Sequence, residues 1–259
     1  MTVKLYGHRG AAAELPENTM ASFERALAVG VDVLEMDVHM TADGGIVVSH
    51  DPSGARMAGA NWPIAEASLA EVQRWDAGWG FIDAAGCRPF AGCGFSVPTL
   101  NEVLSAFPNV ELNIDIKPYR PSMVEPLLSL LTSSGAEERV TLASFHGPVI
   151  REVRARRFRG ATVLAADEVR ALLVAPARLW RALGSYLGPA HAVQVPPRIG
   201  RLDLASPRFI ARCHALGLRV DYWVVNEPRQ AEMLLARGAD GIITDDPARI
   251  LPVIERARS

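Results

Sequence analysis

"VLEMDVHMTADGGIVVSHDP", residues 33–52, decides how this chain is read. Apolar and polar side chains alternate over residues 33–40, with Leu34, Met36 and Val38 on one face and Glu35, Asp37 and His39 on the other. In a barrel wall the apolar face meets helices and the other face points inward. An edge strand with its charges in water is the alternative. Asp43-Gly44 is a hairpin signal, and no helix fits between Met40 and Ile46. With those two as the turn, His50 falls opposite Asp37, and with Gly44-Gly45 it falls opposite His39. Only a three-residue loop would send it to the other face.

"VELNIDIK", residues 110–117, repeats the construction and favours the barrel. Leu112, Ile114 and Ile116 share one face, while Glu111, Asn113, Asp115 and Lys117 share the other. Seven further strand candidates are "VKLYG", "GIVVSH", "RVTLASF", "ATVLAAD", "HAVQVPP", "LRVDYWVVN" and "ADGIITD". Helical patterns separate most of them. In "PENTMASFERALAVG" Gly30 is the stop, "PTLNEVLSAF" and "PSMVEPLLSLL" carry capping-box spacings, and "SPRFIARCHALG" has Ser206 as cap. The expectation is an α/β fold, a (β/α)8 TIM-type barrel, with one of the nine strands extra and in a hairpin. No Gly-rich dinucleotide turn follows the first strand, which counts against a doubly wound sheet.

One domain over residues 1–259 suits this length. Residues 51–97 break the rhythm with many glycines, prolines and tryptophans and one helical piece, "SLAEVQRW"; they read as an insertion after the third strand. The arginines of "REVRARRFRG" read as a solvated helix face. Lys plus Arg number 27 against 29 Asp plus Glu, so no global field draws nucleic acid, and an anionic ligand must be held by local charges. Three cysteines without metal-type spacing fit a reducing compartment. Neither a signal peptide nor a membrane span is expected, which makes the cytoplasm the default location.

Carboxylates directed into a barrel need cations among them. Oxygen donors without cysteine or paired histidine suit Mg²⁺ or Ca²⁺ better than Zn²⁺, and Glu35, Asp37 and Asp115 are the candidate ligands. Glu111 lies four strand residues, roughly 13 Å, from Asp115 and is taken as structural or solvated. "YGHRGAAAELPENT", residues 6–19, puts His8 and Arg9 at the end of the first strand, next to this cluster. His8 and His50 would then flank a metal, with Arg9 and Lys117 as fixed cations. Phosphoryl chemistry calls for this set: cations on the non-bridging oxygens, one histidine to take a proton and one to give it.

The motifs "GHRG" with "PENT", "LEMDV" with "TADG", "VVSHD", "PTLNEVL", "LNIDIKP", "ASF", "YWVVN" and "GADGIITDDP" run in order through nearly the whole chain. In these the sequence resembles the glycerophosphodiester phosphodiesterases, among the phospholipase-C-like barrel phosphodiesterases. The resemblance implies a divalent metal and release of sn-glycerol 3-phosphate and an alcohol from a small-molecule diester. It implies His8 and His50 as the acid–base pair, Glu35 and Asp37 as metal ligands, and Arg9 and Lys117 as phosphate contacts. It also allows a glycerol hydroxyl of the substrate to attack phosphorus first, giving a cyclic phosphate that water opens. The family usually has glutamate where Asp115 stands, and lysophospholipase-D-like and sphingomyelinase-D-like barrels share an Asp-x-Lys arrangement, so those remain alternatives. Val224 and Asp246 also depart from the family pattern.

Trp223 is a candidate for the pocket wall, against glycerol or a choline-like head, and equally for the core. Asn226, Ser144 and Phe145 have the same standing, whereas His214 reads as a structural histidine. A zinc amidohydrolase would need a His-x-His pair where His8-Arg9-Gly10 stands. A non-catalytic phosphate-binding barrel is the non-enzyme alternative.

Overall fold

The computed structural model describes residues 2–174 and 190–259. Eight parallel strands alternate with helices: β1 (Lys4–His8), β2 (Val33–Met40), β4 (Glu111–Ile116), β5 (Val140–Ala143), β6 (Ala161–Thr162), β7 (Ala192–Val195), β8 (Arg219–Tyr222) and β9 (Gly241–Thr244). They hydrogen-bond in the order β6-β5-β4-β2-β1-β9-β8-β7, and a parallel bridge between Val163 and Ala192 closes the ring. This is the TIM-type barrel. The ninth candidate, β3 (Ile46–Val48), pairs antiparallel with β2 outside the ring, as the hairpin requires.

Among the described residues, eight longer helices are α1 (Met20–Val29), α2 (Leu100–Ala106), α3 (Val124–Ser133), α4 (Gly147–Ala155), α5 (Ala166–Val174), α6 (Pro207–His214), α7 (Pro228–Ala236) and α8 (Pro247–Arg258). The apolar faces of β2 and β4 bury Leu34, Met36, Val38, Leu112, Ile114 and Ile116 in the main core. Their other faces enter the barrel, where amides and ion pairs replace the usual aliphatic layers. Asn113 and Gln194 exchange two amide hydrogen bonds at 3.2 and 3.1 Å from β4 to β7. Nearer the strand starts, the Tyr6 hydroxyl donates to Asp221 at 3.1 Å, and Arg219 pairs with the same carboxylate at 3.2 Å.

Local signals explain several helix ends. Thr19 caps α1 and Gly30, at φ 109°, closes it; Thr99 and Glu102 form the capping box of α2; Ser206 caps α6. Helix α3 departs from its spacing. It starts at Val124 with Met123 as cap residue; the Ser122 hydroxyl accepts from the Val124 N–H at 3.3 Å and donates to Glu152 across to α4 at 2.9 Å. Most arginines of "REVRARRFRG" do face outward, but Arg154 is half-buried, pairs with Glu168 at 2.6 Å and ties α4 to α5.

The β2–β3 register corrects the hairpin reading. Val38 pairs with Val48 and His39 with Val47, around a three-residue loop of 42–44. Thr41 and Asp43 cause this: the Thr41 hydroxyl donates to Asp43 at 2.6 Å, and the Leu69 backbone N–H donates to the same carboxylate. Between β3 and α2 two short antiparallel segments, Ser53–Gly54 and Ala60–Pro63, lie with short helices at Ala55–Ala58 and Leu69–Val72. Met57, Ile64, Val72, Ala77 and Val97 give this region a small core of its own against Val47.

Candidate active site

Strand register assembles the site. His8 lies beside Glu35, Glu35 beside Asn113, and Asp37 beside Asp115 on adjacent parallel strands. Two carboxylates directly opposite repel. Lys117, two residues beyond Asp115 and on the same face, reaches back and sets its Nζ 2.8 Å from Asp37 and 2.7 Å from Asp115. Asp37 also accepts from Asn18 Nδ2 at 3.0 Å and has Arg9 Nε at 3.2 Å. Burial pushes the Asp37 carboxyl up, but Lys117 and Arg9 outweigh it and the pKa is lowered. For Asp115 burial wins, and its pKa is raised despite Lys117. Burial and the neighbouring Asp37 raise Glu35 to about 7.

Arg9 (φ 55°) and Asn18 (φ 56°) both hold left-handed backbone conformations uncommon for residues with a side chain. The loop between them is pinned: the Arg9 N–H donates to Glu35 at 3.0 Å, its guanidinium to Glu17 at 3.0 Å, and the Asn18 N–H to the Arg9 carbonyl. Functional loops often store strain of this kind.

Each candidate histidine has an aspartate on Nδ1. His8 Nδ1 lies 2.6 Å from Asp245 and its Nε2 lies 3.9 Å from Glu35. Burial lowers the His8 pKa, yet Glu35 and Asp245 overcome that and the net shift is upward. His50 Nδ1 lies 2.6 Å from Asp51. The observed register would turn His50 away from the acids. Strand β3 ends at Val48, however, and after one further bond from the Ser49 N–H to the Asp37 carbonyl at 2.9 Å the chain turns away, so His50 reaches the cavity from outside the pleat. A hydrogen bond of 3.2 Å from His39 Nε2 to the His50 carbonyl fixes that departure. His8, Arg9, Glu35, Asp37, His50, Asp115, Lys117 and Trp223 all line one cavity of about 600 Å³ at the strands' C-terminal ends. Barrel active sites lie at this end.

The profile of the Glycerophosphoryl diester phosphodiesterase family matches residues 8–249. The chain belongs to this family. It is accordingly an enzyme of the phosphodiesterase class. The protein named probable glycerophosphodiester phosphodiesterase 2 of Mycobacterium tuberculosis is 32% identical over 248 residues, covering 92% of this chain and 85% of that one. Human lysophospholipase D GDPD1 is 27% identical over 270 residues, covering 95% and 84%. A crystal structure from Silicibacter pomeroyi, named for the same family, matches with a TM-score of 0.80 at 28% identity over 98% and 94% of the two chains.

Family motifs lacking an assigned role in the sequence now have one. Asp245, from "TDDP", holds His8, and Asn226 donates to Asp245 at 2.8 Å. Asp246 caps α8 by accepting from the Arg249 N–H at 3.2 Å. Trp223 lines the cavity while packing on Tyr6 and Ile243, and meets Phe145 edge-on at 5.8 Å. Ser144 donates to the Ile116 carbonyl and serves the fold as well. His214 pairs with Asp240 at 2.8 Å, away from the site. Glu111 is exposed at the other end of β4, paired with Lys4. The signal for Asp245 and Asp51 was adjacency to motif ends; their contacts with the histidines needed the closed barrel.

The residues fit a hard divalent cation. Asp115 Oδ1 is buried with no hydrogen-bond partner, and burial together with the neighbouring Asp37 pushes the Glu35 carboxyl up. Among the described residues no three His, Cys, Asp or Glu are already gathered around one point, since Lys117 stands between Asp37 and Asp115. Glu35 and Asp115 therefore offer the open donors, and Asp37 would have to share with Lys117.

Proposed function

We propose that the chain hydrolyses glycerophosphodiesters to sn-glycerol 3-phosphate and an alcohol, with His8 and His50 as its acid and base. The observation that carries this is a pair of histidines, each with an aspartate 2.6 Å from Nδ1, on the wall of one acid-rich cavity. An aspartate there fixes the tautomer and leaves Nε2 to exchange a proton with substrate. Glu35, Asp37 and Asp115 would hold one divalent cation, Mg²⁺ or Ca²⁺. When bound, that ion would neutralise charge on the phosphate's non-bridging oxygens. Arg9 and Lys117 bind phosphate from the two sides of Asp37, the guanidinium by paired hydrogen bonds and the ammonium as a point charge. Trp223 and Phe145 set the width of the mouth for the leaving alcohol.

Lysophospholipase-D-like action is the second reading, and one feature favours it. Strands β1, β2 and β4 supply the polar half of the cavity, whereas Leu164, Val169, Leu173, Val195, Ile199 and Leu202 supply an apolar half that a small head group would leave empty. An acyl chain would gain about 0.8 kcal/mol per methylene buried there. For location, no helix among the described residues is long and apolar enough to cross a membrane. The cysteines are free, with Cys87 and Cys93 exposed. We propose a cytoplasmic location from the unpaired cysteines alone, which suit a reducing compartment.

A turnover assay on a panel of glycerophosphodiesters and lysophospholipids, in Mg²⁺, Ca²⁺ or excess chelator, tests both readings. Release of sn-glycerol 3-phosphate from small diesters, lost on chelation, is the expected result. Turnover of lysophospholipids alone would replace it with the second reading. No turnover of any diester by folded, metal-supplied protein would refute both.

A further inference from the structure

Arg56 lies outside the cavity, yet both catalytic loops converge on it. From the short helix Ala55–Ala58, its Nε donates to Asp51 Oδ2 at 2.6 Å, and its Nη1 and Nη2 donate to the two Glu17 oxygens at 2.9 and 2.7 Å. Each of those carboxylates serves a second side chain. Asp51 holds His50 Nδ1 at 2.6 Å, and Glu17 accepts from Arg9 at 3.0 Å. The result is one continuous path, His50–Asp51–Arg56–Glu17–Arg9, between a histidine carried by the segment after β3 and a cation carried by the loop after β1.

We propose that Arg56 is a positioning residue for the hydrolysis, setting His50 and Arg9 relative to each other through Asp51 and Glu17. This rests on the phosphodiesterase reading above, in which His50 moves a proton and Arg9 binds phosphate. Asp51 and Glu17 come from separate segments and would otherwise repel across the gap that Arg56 fills. A planar fork holds both with fixed angles, bidentate to Glu17 and single to Asp51; a lysine ammonium, with donors that rotate freely, would neutralise them without fixing either angle. The Arg56 side chain is 48% exposed. Exposed ion pairs add little stability, so geometry is what the contacts supply. Displacing a catalytic group by about 1 Å costs up to ~10²-fold in rate. A residue that merely pinned the insertion to the barrel would change stability and leave turnover and coupling untouched.

The experiment uses the whole chain with glycerophosphocholine as probe, measuring kcat, KM and thermal midpoint. The variants are Arg56→Gln, Arg56→Lys, Glu17→Gln and Asp51→Asn, with the last two also combined in wild-type and Arg56→Gln backgrounds. Arg56→Gln is expected to lower kcat by about 10-fold or more with KM within ~3-fold of wild type. Arg56→Lys should recover only part of that loss. Glu17→Gln and Asp51→Asn should be non-additive in kcat while Arg56 is present and additive once it is gone. Additivity in the wild-type background, or an Arg56→Gln kcat within about twofold of wild type, overturns the proposal. Should Arg56→Gln fail to fold, Arg56→Lys carries the same coupling test with the same two outcomes. Wild-type protein silent on every diester overturns the underlying reading and this proposal together. An active wild type whose kcat ignores Arg56 overturns this proposal alone.

Discussion

Asp245 makes His8 a different group from the histidine the sequence displays. Its carboxylate, 2.6 Å from Nδ1, commits that nitrogen and turns Nε2 toward Glu35 and the cavity. His8→Ala and His50→Ala are each expected to cut kcat by ~10² or more without loss of fold, read from steady-state kinetics beside a thermal melt. Asp245→Asn should cost less than His8→Ala while leaving KM nearly unchanged, since it disturbs the ring's tautomer and keeps the ring. Glu35→Gln tests the ligand assignment without relying on turnover. Mg²⁺ or Ca²⁺ should raise the thermal midpoint of the wild-type protein and fail to raise that of Glu35→Gln, as binding to the native state alone stabilises it. An equal rise in both would remove Glu35 from the ligand set.

At the scale of elements, the β2–β3 hairpin shows where local rules stop. A two-residue turn at Asp43-Gly44 was the simplest reading, and it would have placed His50 by alternation. Asp43 instead accepts from Thr41 and from Leu69 in the insertion, which pulls the loop to three residues. The contact with Leu69 is 26 residues distant in sequence, and no local pattern announces it. Helix α2 is the opposite case, because its capping box is complete within four residues and was legible directly. Thr99→Ala should therefore lower stability by about 1 kcal/mol with kcat unchanged. Chemical denaturation is the check: the midpoint should fall while the m-value stays constant.

The whole molecule is divided across the barrel mouth, with charge on the β1, β2 and β4 side and apolar wall on the β5 to β8 side. Glu17 and Asp51 join the charged side to the insertion. Burial raises both carboxyls, but Arg56, with Arg9 at Glu17 and His50 at Asp51, outweighs it and both pKa values are lowered. A carboxyl depressed on folding contributes stability above its unfolded value, about 4.3 for Glu and 3.9 for Asp. That contribution is lost as pH falls through the lower folded value. Stability measured by denaturant should therefore decline below pH ~4.3, and Glu17→Gln should make the decline shallower. An identical pH profile in the variant would show that Glu17 gains no stability from Arg56 and Arg9.

Alternation along β2 and β4, recurring helix patterns and the motifs from "GHRG" to "TDDP" determined the barrel, the family and the inward acids, because each depends on periodicity or on residues adjacent in sequence. Only the tertiary structure decided the partners. Lys117 lies between Asp37 and Asp115 because two strands register those acids side by side. Asp245 meets His8 across 237 residues because β9 closes against β1. His50 enters the cavity because its strand ends two residues early. Each of these contacts is set by packing between distant segments, for which a single sequence carries no local signature.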